Sequence, residues 1–181
     1  MSNKLLIERL LNDLRGDDED KQRQAIYRLL ELADPMTIPA LLEALRDKRE
    51  EIRSVAAEAL GVIGENDALH GLEEALLNDE SDEVRAAAAK AIGTIGDVTS
   101  VPALLQALRT PNTDVWHSAA ESLWLMNEDV MPHVISALTS RDHETRRVAL
   151  QAVLWLTAEY DDDEVSDRDD YEWRDAWGWW N

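Results

Sequence analysis

The 181-residue sequence contains no cysteine and no phenylalanine. The first absence excludes disulfides, thiolate nucleophiles and cysteine-ligated metal sites. The second leaves the apolar positions to Ala, Leu, Ile and Val, with Trp and Tyr as the only aromatic bulk. Positive charge is also scarce: 18 basic residues face 38 acidic ones, a formal net charge of −20, and only 4 of the 18 are Lys. Nucleic acids and anionic membrane surfaces are held by Lys and Arg, so this balance argues against both and fits either a basic partner or solubility in high salt. No uninterrupted apolar run approaches the ~20 residues of a membrane span. The opening MSNKLLIERLLNDLRG carries charges every few residues, unlike a secretory signal. A soluble, cytoplasmic protein is expected.

What is present is a repeat. Shifting the sequence on itself by about 31 residues aligns EEIRSVAAEALGVIG (50–64), DEVRAAAAKAIGTIG (82–96), TDVWHSAAESLWLMN (113–127) and HETRRVALQAVLWLT (143–157). EDKQRQAIYRLLELA (19–33) fits more loosely. Ala25, Ala56, Ala88, Ala119 and Ala149 recur in register, and Leu29, Leu60, Ile92, Leu123 and Val153 follow four residues later. Spacings of three, four and seven mark one face of a helix. Between these segments lie shorter apolar helices at 37–45, 69–77, 100–108 and 130–138, with LLIERLLNDL as the first of the kind. Pro39, Pro102 and Pro132 stand in their first turns, where a missing N–H costs little, and Gly64 and Gly96 stand where the longer helices should stop. The expected fold is all-α: five helical hairpins at about 3–33, 35–64, 67–96, 98–127 and 129–160, followed by a tail at 161–181.

The second-helix pattern, clearest at Ile52–Gly64 and Val84–Gly96, resembles the HEAT-like repeats of the phycobilisome-lyase type within the HEAT-repeat superfamily. That resemblance covers about the first 160 residues. It implies a right-handed α-solenoid with the first helices on the convex side and the second helices lining the concave one. It also offers bilin-lyase-like or pigment-protein chaperone activity as an alternative function.

Acid and base recur together. Asp47 precedes Arg53 by six residues and Asp79 precedes Arg85 by six; the fourth repeat has Thr110 and Trp116 in their places, the first Gly16 and Gln22. The fifth, with Ser140 opposite Arg146, is an exception. The pattern predicts ion pairs that tie each inter-helix turn to its own second helix, a structural role.

On the concave reading, the outward positions of the second helices form a partner-binding strip: Arg23, Tyr27, Glu58, Val62, Lys90, Trp116, His117, Glu121, Leu125, Arg147, Gln151 and Trp155. Acids at Glu50, Glu51, Asp82, Glu83 and Asp114 run along one edge. A small, mildly apolar middle with aromatic ends and a polar rim suits a protein partner. Trp116 replaces the repeat's Arg and Trp124 replaces the Gly of Gly61 and Gly93, so both are candidates either for contact hot spots or for filling core space.

The tail holds nine acidic and two basic residues, with Trp173, Trp177 and Trp180 at helical spacing. It reads as a cap over the last repeat or as a segment that docks elsewhere. Catalytic motifs (HExxH, P-loop, dinucleotide-binding glycines, G-x-S-x-G) are absent from the sequence. HEAT-like iron hydroxylases of the deoxyhypusine hydroxylase type place His-Glu pairs just after the repeat Arg. Here only His117 stands there, followed by Ser118, and His143-Glu144 is out of register. The functional expectation is a non-catalytic scaffold without cofactor or metal, monomeric or homodimeric, with a self-assembling structural module as a further alternative.

Overall fold

The computed structural model of the protein describes residues 3–16 and 18–157. The tail expected at 161–181, with Trp173, Trp177 and Trp180, lies outside the described residues. The first helices are α1 (Asn3–Arg15), α3 (Ile38–Ala44), α5 (Leu69–Asn78), α7 (Val101–Ala107) and α9 (Met131–Leu138). The second helices are α2 (Glu19–Leu32), α4 (Glu50–Ile63), α6 (Asp82–Ile95), α8 (Thr113–Leu125) and α10 (His143–Thr157). Each first helix packs on the second helix that follows it, and α2, α4, α6 and α8 stack side by side. The result is an all-α solenoid.

Local chemistry sets the helix limits. Asp18, Ser81 and Asn112 accept hydrogen bonds from backbone N–H groups at the starts of α2, α6 and α8, the usual use of a short polar side chain at a helix N-terminus. Pro39, Pro102 and Pro132 fall in the first turns of α3, α7 and α9. Gly64 and Gly96 close α4 and α6 in the left-handed conformation, at φ 77° and 75°. One feature the repeat pattern does not reveal is the entry to the first helices: a 3-10 turn precedes α3, α5, α7 and α9. Asp34 and Asp97 brace two of these turns by accepting from the N–H groups of Met36 and Thr99, both at 2.9 Å.

The in-register alanines form the spine of the core: Ala56, Ala88, Ala119 and Ala149 are fully buried and Ala25 nearly so. Leu29, Leu60, Ile92 and Leu123 fill the turn after them, all buried, whereas their counterpart Val153 is only partly covered. Small residues also control how closely the second helices approach. A Cβ placed on Gly61 would lie 2.7 Å from the Ala91 Cα, and one on Gly93 would lie 2.8 Å from the Ser122 Cα. Both helix pairs are therefore in backbone contact. The Ser122 hydroxyl strengthens the second contact, lying 2.9 Å from the Ala89 carbonyl oxygen across the interface and 2.6 Å from that of Ser118. Trp124 occupies the equivalent position in α8, so α10 does not repeat this approach and packs mainly on α9.

The expected ion pairs within repeats are not what forms. The Arg53 guanidinium makes a bidentate contact with Asp79 of the following repeat, Nε and Nη2 donating at 2.8 and 2.9 Å, with both side chains buried. Its Nη1 donates instead to the backbone carbonyl of Asp47 at 2.9 Å. The Asp47 carboxylate takes Arg49, whose hydrogen bonds hold it below the usual carboxylate range. Asp79 likewise does not pair with Arg85, which donates to Asp82 and to the Leu76 carbonyl. In the first repeat the Gln22 amide donates to the carbonyls of Leu14 and Gly16. The hydrogen bonds to Asp79 raise the already high pKa of Arg53, so this guanidinium stays charged inside the stack.

Removing one partner of a buried ion pair leaves the other charge uncompensated. Asp79→Ala is expected to cost about 3 kcal/mol, and the double apolar replacement Arg53→Met/Asp79→Leu to regain most of that loss, read as urea midpoints. Gly93→Val, by forcing α6 and α8 apart, is expected to cost about 2 kcal/mol in the same assay.

Candidate protein-binding groove

Backbone contact among α4, α6 and α8 lays three second helices side by side and leaves an open groove of about 860 Å³ along them. Its floor is small and partly apolar: Gly61, Val62, Ala86, Ala87 and Ala91, with Leu30 of α2 at one end. Glu58, Asp82, Glu83, Asp114 and Glu121 stand around it, against a single ammonium, that of Lys90. Asp82 is engaged by Arg85 and by the Asn112 side-chain amide. Glu58, Glu83, Asp114 and Glu121 form no ion pair among the described residues. Four uncompensated carboxylates in one concavity raise the local negative potential beyond what the same charges would give on a flat surface.

Of the strip read from the sequence, Glu58, Val62, Lys90, His117 and Glu121 line this groove. The other members lie elsewhere. Tyr27 borders a separate depression between α1 and α2, with Leu6, Leu10 and Leu32. Arg23 is drawn to Glu51 at 3.2 Å and Asp20 at 3.5 Å. Arg147 donates to Glu144 at 3.0 Å and lies 3.5 Å from the Gln151 side-chain oxygen, so that pair is occupied within α10. Leu125 is exposed, at the last position of α8, and does not line the groove. Gly61 and Leu30 belong to the groove although the strip omitted both. Their heptad position marks the helix contact, and only the near-backbone packing of α4 on α6 brings it to the floor.

Trp116 and Trp155 do not face the groove either. Their rings meet edge to face, centroids 5.6 Å apart at 84°, and His117 stands against Trp116 at 5.4 Å. Both indoles are half-buried against the core, so this aromatic cluster joins α8 to α10 where glycine contact is missing. Trp124 remains 42% exposed, so it does not serve as core filling. Among the described residues no group of three or more His, Asp or Glu is placed to hold a metal ion, and no helix is long and apolar enough to cross a membrane. His143 lies 3.6 Å from its neighbour Glu144.

Edge-to-face aromatic pairs contribute about 1 kcal/mol beyond their buried area. Trp116→Ala and Trp155→Ala are each expected to weaken the near-ultraviolet dichroism of the pair. In a double-mutant cycle on urea stability they should couple by about 1 kcal/mol.

Comparison with known proteins places this geometry. The family model for HEAT repeats matches residues 5–93 and 70–155. Among solved structures, the complex of CpcE and CpcF of phycocyanin lyase from Nostoc sp. PCC7120 is similar at a TM-score of 0.63 and 24% identity, over 84% of this chain and 65% of that one. The chain thus spans just under two thirds of the lyase chain it matches. An engineered protein matches at 0.55 and 22% identity, over 83% of this chain and 78% of its own. A designed armadillo repeat protein in complex with the peptide (KR)4 matches at 0.51 and 19% identity, over 81% and 80% of the two chains. At these identities the likeness is one of fold. No protein of curated function matches the sequence. The chain belongs to the HEAT-repeat family.

Proposed function

We propose that this HEAT-repeat chain is a non-catalytic scaffold that holds an extended, basic segment of a partner protein in the groove formed by α4, α6 and α8. The observation that carries the reading is the set of four carboxylates, Glu58, Glu83, Asp114 and Glu121, left without ion pairs around a floor of small residues. A floor of Gly and Ala admits backbone, and the surrounding carboxylates match Lys or Arg side chains projecting from an extended strand. Lys90, alone among them, disfavours a cation at the centre and so sets which residue of a ligand lies there. The alternating cations of (KR)4, the peptide bound by the designed armadillo neighbour, are of the chemistry this groove suits.

The test is titration of fluorescein-labelled (KR)4 into the full chain, beside an equally long Asp/Glu peptide. Expected are saturable binding of the basic peptide that weakens steeply with salt, and none of the acidic one. Glu58→Gln/Glu121→Gln changes the net charge by only two but should weaken binding at least about tenfold, or ~1.4 kcal/mol. Equal affinity of the double variant would overturn the reading, because general acidity would then account for the binding.

A further inference from the structure

The two ends of the stack differ in chemistry. Toward the preceding layer, α4, α6, α8 and α10 present Ala59, Ala91, Ser122 and Ala152, all buried. In α2 that position is Arg28, exposed and paired with Glu31 at 2.6 Å. Toward the following layer, α4 and α6 present Ala57 with Gly61 and Ala89 with Gly93, again buried. In α10 those positions are Leu150 and Leu154, exposed by 49% and 44%. Ile135 of α9 adds a third aliphatic side chain at 55%, whereas its counterpart in α7, Leu105, is buried. At these positions the first layer carries an ion pair and the last layer aliphatic side chains. A helix cannot seat on α10 as α6 seats on α4, because Leu154 stands where the close approach needs Gly. The cover this face takes is looser and built from large side chains.

Arg146 supplies a second observation. It is the counterpart of Arg53 and is posed like it, its Nη1 donating at 2.9 Å to the Ser140 carbonyl as that of Arg53 does to the Asp47 carbonyl. Arg53 uses its other two nitrogens to grip Asp79 of the next layer. Arg146 forms no ion pair among the described residues. The surrounding repeat also carries no net charge. Residues 129–157 hold three acids and three bases, while residues 158–181 hold ten acids, two bases and four tryptophans.

We propose that residues 161–181 of the same chain cover this end face. Trp173, Trp177 and Trp180 lie on Ile135, Leu150 and Leu154, and a carboxylate of the run Asp161–Glu164 grips Arg146 as Asp79 grips Arg53. Reach permits it. Arg146 precedes Thr157 by eleven residues, roughly 16 Å along the helix, and Glu164 follows Thr157 by seven, enough for roughly 23 Å of extended chain. Burying three aliphatic chains beneath tryptophans removes apolar surface from water at both partners, and the opposite charges of the two segments favour the same placement. The chain would then carry its own last layer, different in kind from the repeats it closes.

Hydrogen exchange read by mass spectrometry on the full chain tests this, at two protein concentrations and with sedimentation alongside. Amides of 169–181 are expected to exchange at least about tenfold more slowly than in the free peptide, equally at both concentrations. Leu150→Glu/Leu154→Glu should return them to the free rate while α4, α6 and α8 stay protected, which separates loss of the cover from unfolding. Arg146→Gln should speed exchange in 161–164 more than in 173–180. Free-peptide rates in the unaltered chain would overturn the proposal. So would protection that the Leu double variant leaves intact, which puts the segment elsewhere, or protection that grows with concentration alongside a dimer, which puts a second copy on the face.

Discussion

The contact between backbones at Gly61 and Ala91, and again at Gly93 and Ser122, is the constraint from which the rest follows. It holds α4, α6 and α8 at a spacing that a single added methyl group would break. That spacing floors the groove with small residues, Gly61, Ala87 and Ala91 among them. It also brings Asp79 within bidentate reach of Arg53, a charge pair that packing must hold to its geometry to offset the cost of burying it. Where Trp124 replaces the glycine, the groove lining stops at α8 and the chain changes its way of joining helices, from backbone contact to the ring edges of Trp116 and Trp155.

Electrostatics along the second helices are sorted more sharply than the composition suggests. Arg23 and Arg147 are each taken by carboxylates of their own neighbourhood. Glu58, Glu83, Asp114 and Glu121 are left over around the groove. These two cations are held within the scaffold while the four carboxylates are displayed. Carboxylates gathered along one groove build a local field of one sign that the same charges spread evenly would not.

Much of the fold was legible because its periodic positions have one physical cause each: Ala25 to Ala149 are small because a neighbouring helix crosses there, and Gly64 and Gly96 are glycine because φ is positive. The ion pairs were misread for an equally physical reason. Asp47 to Arg53 is six residues, Arg53 to Asp79 is 26, and together they make one repeat of 32. In a periodic chain a partner within the repeat and a partner in the next one leave the same recurrence, so spacing cannot tell them apart. That Glu58, Lys90 and Glu121 share one groove was legible from their common place in the repeat. Tyr27 and Trp155 lie outside that groove, because α2 and α10 are flanked differently and the same repeat position points into different surroundings.

The change from backbone contact to ring contact after α8 also gives the array an uneven stiffness. Helices locked at van der Waals distance along their main chains have almost no soft direction, since any tilt drives Cα atoms together. Two indoles meeting edge to face can roll over one another at little cost while keeping contact. Bending strain applied by a bound object would therefore concentrate between α8 and α10, leaving the curvature of the middle three layers unchanged. The trough would then hold its form while the joint beside it yields.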